Sequence, residues 1–420
     1  MDETPQRPTD HSSGPTTVIV GGGLAGATVA KTLREEGYRG RVTLIGAEAH
    51  LPYERPPLSK GLLLGTAERD SVLVEPAPWY REHHVELLTG TRVTAVDRTA
   101  REVVLDTGER LGWTTLVLAT GSAPRRLDVP GADLDGVLYL RTLDDADALV
   151  AALDRRPRVV VVGGGWIGLE TAAAAREAGL DVTVLEVGAL PLLRVLGTEM
   201  AQLFTDLHRG HGVTVRTQVQ VTELLTADGT AVSGVRLSDG SVLPAELVIV
   251  GVGIQPEVSL ARDAGLDVAD GVVVDEHLRS SDPGVLAVGD VAAAWHPTLG
   301  RRLRVEHWAN AGRQGTVAAR TLLGVDAVDD RLPYFYTDQY DLGMEYVGYA
   351  EPSRATTSVV VRGSIAEREL IAFWVDEGRV LAGMNVNVWD VSEQIEALVR
   401  SGRTVAAERL ADPDVPLSEV

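Results

Sequence analysis

One phrase occurs twice in this chain. Val18, Ile19 and Val20 run into Gly21, Gly23 and Gly26, and Val159 to Val162 run into Gly163, Gly165 and Gly168. Each copy is an apolar, β-branched run followed by glycines in the spacing G-x-G-x-x-G. Such a run suits a strand buried on both faces, which calls for a parallel sheet covered by helices. In a turn of this kind the first glycine permits a tight bend. The second lets the backbone approach a pyrophosphate, and the third lets the following helix pack on the strand. Free N–H groups at that helix N-terminus favour negative charge.

The glycine spacing alone is a weak signal among 44 glycines, so its surroundings carry the reading. After the first copy, a helix is predicted from Leu24 to Glu36, then the strand Arg41 to Gly46, then Glu48. After the second, a helix runs through Glu170 to Gly179, then a strand ending at Glu186. An acidic residue about twenty positions past the glycines holds a ribose hydroxyl pair. Glu186 also favours NADH over NADPH, because a carboxylate repels a 2′-phosphate. Val187, Gly188 and Ala189 offer no cation to receive one, although Arg194 follows downstream. Two such sites imply two dinucleotides: a resident flavin, and a nicotinamide that comes and goes.

Composition narrows the chemistry. With 420 residues there is room for two or three domains. The chain has no cysteine, which excludes disulfides, thiolate metal sites and a dithiol relay. The nine histidines show no metal-ligand spacing, so no metal site is expected. A net charge of −21 argues against nucleic acid and anionic membrane as partners. No apolar run reaches the roughly 20 residues that span a bilayer. Residues 1–15 are polar and Pro-containing and read as a disordered tail with no signal pattern. A cytoplasmic protein is expected.

The order of strand and turn signals gives an α/β fold. It comprises two Rossmann-like dinucleotide-binding domains and a C-terminal α+β domain. The first domain occupies 16–124 and 253–331, and the second lies between them at 125–252. The C-terminal domain covers 332–410, and 411–420 is expected as a loose tail. Thr142, with Asp145 three residues on, predicts a capped helix start.

The phrases "VIVGGGLAG", "LPYERPPLSK", "LVLATGS", "VVVVGGGWIGLE", "LAVGDVA", "VEHWANA" and "FYTDQYDLGMEYVG" occur in this order. Together they resemble the NADH-dependent, FAD-containing ferredoxin reductases that feed oxygenases and cytochromes P450, over about residues 16 to 400. The resemblance implies that the first glycine turn holds FAD and the second holds NADH. For FAD it implies contacts from Gly21, Gly23, Leu24, Ala25, Gly26, Glu48, Arg55 and Lys60. Val93, Ala119, Thr120, Gly121, Arg141, Asp290, His307 and Trp308 complete that set. Glu48 must act alone, because the preceding position, acidic in some relatives, is Ala47. Val93 would meet the adenine through its backbone, Asp290 the ribityl chain, and Trp308 the flavin ring. Ordinary core packing is the competing reading for Trp308, and His307 also reads as structural.

For NADH the resemblance implies Gly163, Gly165, Ile167, Gly168, Glu186 and Gly253. Lys60 and Glu170 would form the catalytic pair beside the nicotinamide, although Glu170 also suits a helix first turn by its charge. A small [2Fe-2S] ferredoxin is the implied acceptor, steered by a basic patch at Arg301, Arg302, Arg304 and Arg313, with Tyr336 near the electron exit. A signalling flavoprotein like apoptosis-inducing factor is the alternative.

Overall fold

The computed structural model describes residues 14–420. The tail expected over 1–15 lies, up to residue 13, outside the described residues. Two five-stranded sheets repeat one plan. In the first, Thr16–Val20 is central. It is flanked by Arg41–Ile45 and Val85–Leu88 on one side, and by Thr115–Leu118 and Val285–Ala287 on the other. Every pairing is parallel. In the second, Val159–Val162 is central, with Val182–Glu186 and Thr214–Thr217 on one side and Leu247–Val250 and Val137–Leu138 on the other, again all parallel. Each sheet is accompanied by a three-stranded antiparallel meander, the first starting at Val93 and the second at Val221.

Apart from Thr16, the central strands are buried throughout, as their β-branched runs require. The two halves differ in where the outer strand comes from. In the second sheet it precedes the glycine motif; in the first it returns only after the whole second unit has been inserted. The inserted unit is entered and left through a two-stranded antiparallel ribbon, Ser122–Pro124 against Ile254–Pro256.

The helix Leu143–Leu153 opens with the expected capping box: Thr142 accepts from the Asp145 N–H and Asp145 accepts from the Thr142 N–H. The C-terminal unit is a five-stranded antiparallel sheet ordered Tyr334–Gln339, Leu342–Gly348, Arg379–Val386, Glu369–Asp376, Thr357–Ser364. The helix Ser392–Ser401 packs on it through Ile395 and Leu398. The last ten residues do not trail away. Leu417 and Val420 are 5% and 7% exposed and join the core around Phe373 and Ile395. Their short, Pro-interrupted spacing carries no helical or strand period, which is why the sequence reads as a tail there. Among the described residues, no helix is long and apolar enough to cross a membrane.

Candidate functional site

Both glycine turns open into one cleft of about 900 Å³. The two turns are built alike. Gly21 has φ +124°, and a Cβ on it would stand 2.0 Å from the Ala119 carbonyl oxygen; Gly163 has φ +105°, with Gly251 O at 2.4 Å. A Cβ on Gly26 or Gly168 would lie 2.1 or 2.0 Å from the carbonyl of its own first glycine. These third glycines therefore serve helix packing and do not line the cleft. The middle glycines are different. Gly23 has nothing within 4 Å of its missing Cβ, and Gly165 meets only Gly251 O at 3.9 Å. That open cradle, at the N-termini of Leu24–Glu35 and Trp166–Glu177, is the space a pyrophosphate needs.

Most residues expected to hold FAD do line the cleft, and Glu48, Arg55, Arg141 and Asp290 among them form one network. Glu48 accepts from Arg55 Nη2 at 2.9 Å and from the Tyr53 hydroxyl at 2.5 Å. Arg55 also donates to the Arg141 carbonyl and to Tyr53. Asp290 accepts from Arg141 at 3.0 Å and from Ser122 at 2.7 Å. Burial opposes the charge on Arg55, but Tyr53, Glu48 and Asp290 outweigh it and its pKa is raised. Arg141 goes the other way: burial and the neighbouring Arg55 lower its pKa. Its Nε is buried without a hydrogen-bond partner. Arg141 and Arg55 place two guanidinium cations along the cleft beside an open glycine turn, which fits an anionic cofactor such as FAD. Tyr53 and Ser122 belong to this network and were missed in the sequence, where an isolated Tyr or Ser carries no periodic signal.

Val93 departs from expectation. It begins the first meander, is buried in the first core, and does not line the cleft. Trp308 lines the cleft but is 38% exposed, which removes core packing as its reason for being there. It meets Tyr336 edge-on, ring centroids 6.5 Å apart. His307 satisfies both of its readings. Its Nδ1 accepts from the Ala309 N–H as the cap of Trp308–Leu322, and its ring lines the cleft. Burial, with Arg313 and Lys60 nearby, pushes its pKa down to about 4, so the ring is neutral.

In the second half, Glu186 accepts from the backbone N–H of Gly164 at 2.8 Å and of Gly188 at 2.6 Å. The carboxylate is thus fixed at the end of its strand by the glycine turn itself. Ile167, Gly253 and Arg194 line the same cleft. Between the halves, Lys60 Nζ sits 2.7 Å from Glu170 Oε1 and 5.6 Å from the centre of the Tyr336 ring. Glu170 is 4% exposed and also accepts from Ser59 and Thr337. A solvated first-turn carboxylate would not be enclosed in this way.

The four arginines of the expected basic patch are drawn into contacts with their neighbours. Arg302 is exposed but donates to the Val274 and Ala293 carbonyls, and Arg313 is half-buried and donates to Leu332 O. Arg304 pairs with Asp270 and Glu306. Arg301 remains accessible but pairs with Glu351 at 2.7 Å and stacks over Tyr349. Clustered arginines in sequence alternate along a strand and turn, and here they are consumed in tying down neighbouring segments.

Comparison with known proteins agrees with this geometry. Residues 15–315 match the pyridine nucleotide-disulphide oxidoreductase family, and 334–420 match the reductase C-terminal family. Putidaredoxin reductase of Pseudomonas putida is 39% identical, covering 96% of each chain. The ferredoxin reductase subunit of a Sphingobium 5,5'-dehydrodivanillate O-demethylase is 40% identical, over 96% of this chain and 97% of that one. Among solved structures, the ferredoxin reductase of the CYP199A2 system from Rhodopseudomonas palustris superposes with a TM-score of 0.91 at 40% identity, covering 96% and 98% of the two chains. The covalent putidaredoxin reductase–putidaredoxin complex also gives 0.91, at 38% identity and 96% and 97% coverage.

Proposed function

The chain belongs to the pyridine nucleotide-disulphide oxidoreductase family, and on that premise we propose that it transfers electrons from NADH, by way of FAD, to a [2Fe-2S] ferredoxin serving a cytochrome P450 or a ring-hydroxylating oxygenase. The observation that carries this reading is the single cleft. It is lined by both glycine turns and has the Lys60–Glu170 pair at their junction. The family's disulphide chemistry is not available to this chain, which has no cysteine.

FAD supplies an acceptor for the nicotinamide's hydride and a donor of single electrons. The protein supplies binding, orientation and charge. Gly21 to Ala25, Glu48, Arg55, Arg141 and Asp290 are the residues that would hold FAD; Gly163 to Ile167, Glu186 and Gly253 would hold NADH. Lys60 places a cation where negative charge develops on reduction, in a site with little water to screen it. Glu170 and the Tyr336 ring hold that cation in position. Trp166 and Phe335, 4.5 Å apart, help close the junction to solvent. Trp308 and Tyr336 form the aromatic rim at which the ferredoxin docks.

The test is an anaerobic mix of the FAD-loaded protein with NADH, followed near the flavin band at about 450 nm. A second mix adds a [2Fe-2S] ferredoxin. Rapid bleaching, much faster than with NADPH, and then ferredoxin reduction are expected. Slow bleaching to a long-lived complex would replace this reading with a binding role like that of apoptosis-inducing factor.

A further inference from the structure

Glu170 is hydrogen-bonded from two separate parts of the chain. Lys60 and Ser59 reach it from the first domain, and Thr337 Oγ1 donates to Oε1 at 2.6 Å from the first strand of the C-terminal sheet. The chain of bonds continues behind Thr337. Gln339 Nε2 donates to Thr337 Oγ1 at 3.2 Å, and Gln339 Oε1 accepts from His208 Nε2 at 2.8 Å. With Nε2 donating, Nδ1 presents its lone pair to the Tyr340 hydroxyl at 3.3 Å. His208 comes from the helix Thr198–Gly210 of the inserted domain. It is neutral, because burial pushes its pKa down to about 4.

Every bond in this series points the same way, from Tyr340 through His208, Gln339 and Thr337 to Glu170. Aligned hydrogen bonds polarise one another and strengthen in a dry interior. Thr337, Gln339 and His208 are all essentially inaccessible to solvent. Positions 337 and 339 share one face of their strand, and a buried face is ordinarily filled with apolar side chains. Here it carries a polar series that ends on the carboxylate holding Lys60.

We infer that Thr337, Gln339 and His208 are positioning residues that orient Glu170, and through it Lys60, for the hydride transfer. The C-terminal domain is then a working part of the reductive site. The inference rests on the function proposed above. The titratable groups facing Glu170 are Lys60, Tyr336 and Asp338. Burial pushes Tyr336 up to about 12 and holds Asp338 above the usual carboxylate range.

The test compares FAD-loaded wild type, Thr337→Val and Thr337→Ser in two measurements. The first is the rate of flavin reduction by NADH across pH 5–9. The second is the acylation of Lys60 by acetyl-N-hydroxysuccinimide without NADH, read by peptide mass spectrometry. The chain has only two lysines, so Lys31 is an internal reference. Thr337→Val is expected to slow reduction about tenfold and to displace the acid limb of the rate profile from its wild-type position, because Glu170 loses one of the donors that hold it. The same shift appears in an Asp338→Asn background. Lys60 acylation, relative to Lys31, rises severalfold as Glu170, no longer oriented by Thr337, loosens its hold on the ammonium. Thr337→Ser restores all three values. A wild-type acid limb together with a wild-type Lys60:Lys31 ratio in Thr337→Val overturns the inference, even if the rate falls. If Thr337→Val does not hold FAD, His208→Asn replaces it, with the same directions expected and the same refuting result. If wild type is not reduced by NADH, the proposed function fails, and the acylation ratio still decides whether the relay holds the pair.

Discussion

Two buried tyrosines of the first domain offer a matched test of the network around Glu48. Tyr53 is 4% exposed and Tyr80 is 2% exposed, and burial raises the pKa of both phenols. The Tyr53 hydroxyl donates to Glu48 and accepts from the Leu143 N–H at 3.0 Å and from Arg55 at 3.3 Å. Among the described residues the Tyr80 hydroxyl has no hydrogen-bond partner. Tyr53→Phe removes a bond to a charged acceptor and leaves the Leu143 N–H buried without one. Glu48 and Arg55 keep each other, so the cost is not the sum of all three bonds. About 3 kcal/mol is expected, from roughly 1.5–3 for the charged bond and roughly 1–3 for the orphaned donor. In a domain of this size that lowers the thermal midpoint by roughly 6–12 °C. Tyr80→Phe removes only an unsatisfied polar atom, so it is expected within about 1 kcal/mol of wild type or more stable. The assay is thermal unfolding of the FAD-loaded proteins, followed by release of flavin fluorescence. Equal midpoints for the two variants would refute the reasoning.

Three further outcomes follow from the site. Gly21→Ala, whose Cβ would meet the Ala119 carbonyl at 2.0 Å, is expected to yield little folded, flavin-loaded protein. Gly23→Ala, with nothing in the protein within 4 Å, should fold with an unchanged midpoint when stripped of flavin but retain less FAD, as read from the ratio of flavin to protein absorbance. Glu186→Ala should reduce the preference for NADH over NADPH at least about tenfold in kcat/KM, since the carboxylate acts by repelling a 2′-phosphate. His208 and His307 both titrate near 4 when folded, against an ordinary value of 6.5. Between those values the unfolded chain binds more protons, so stability is full above about pH 6.5 and falls towards pH 4. The slope of the thermal midpoint across that window should be shallower in His208→Asn.

The parts of the site visible in the sequence are those tied to local backbone rules. The doubled glycine turn announces itself because steric limits at Gly21 and Gly163 leave no alternative residue, and the buried runs beside it fix parallel strands. Glu48, Glu186, Lys60 and Glu170 were legible through spacing and resemblance. Tyr53, Ser122 and Thr337 were not, because each acts on a residue distant in sequence: Thr337 lies 167 positions from the carboxylate it donates to. The arginine cluster misled for a related reason. Charge density along a chain says nothing of the carbonyls and carboxylates that folding brings against it. The closing residues around Leu417 show the same limit for burial.

The ribbon formed by Ser122–Pro124 and Ile254–Pro256 places the two ends of the inserted unit side by side, with Pro124 paired to Ile254. Two adjacent covalent links alone would leave the unit free to turn; what holds it is a core shared with the C-terminal sheet, where Leu169, Leu196 and Phe204 of the unit meet Leu342, Met384 and Trp374. The same adjacency makes the unit a cassette. Cut between those residues and bridged by a short turn, the first sheet keeps all five strands, and a nucleotide-binding unit of different preference can be installed in the gap without rerouting the chain if it keeps the apolar face that meets the C-terminal sheet.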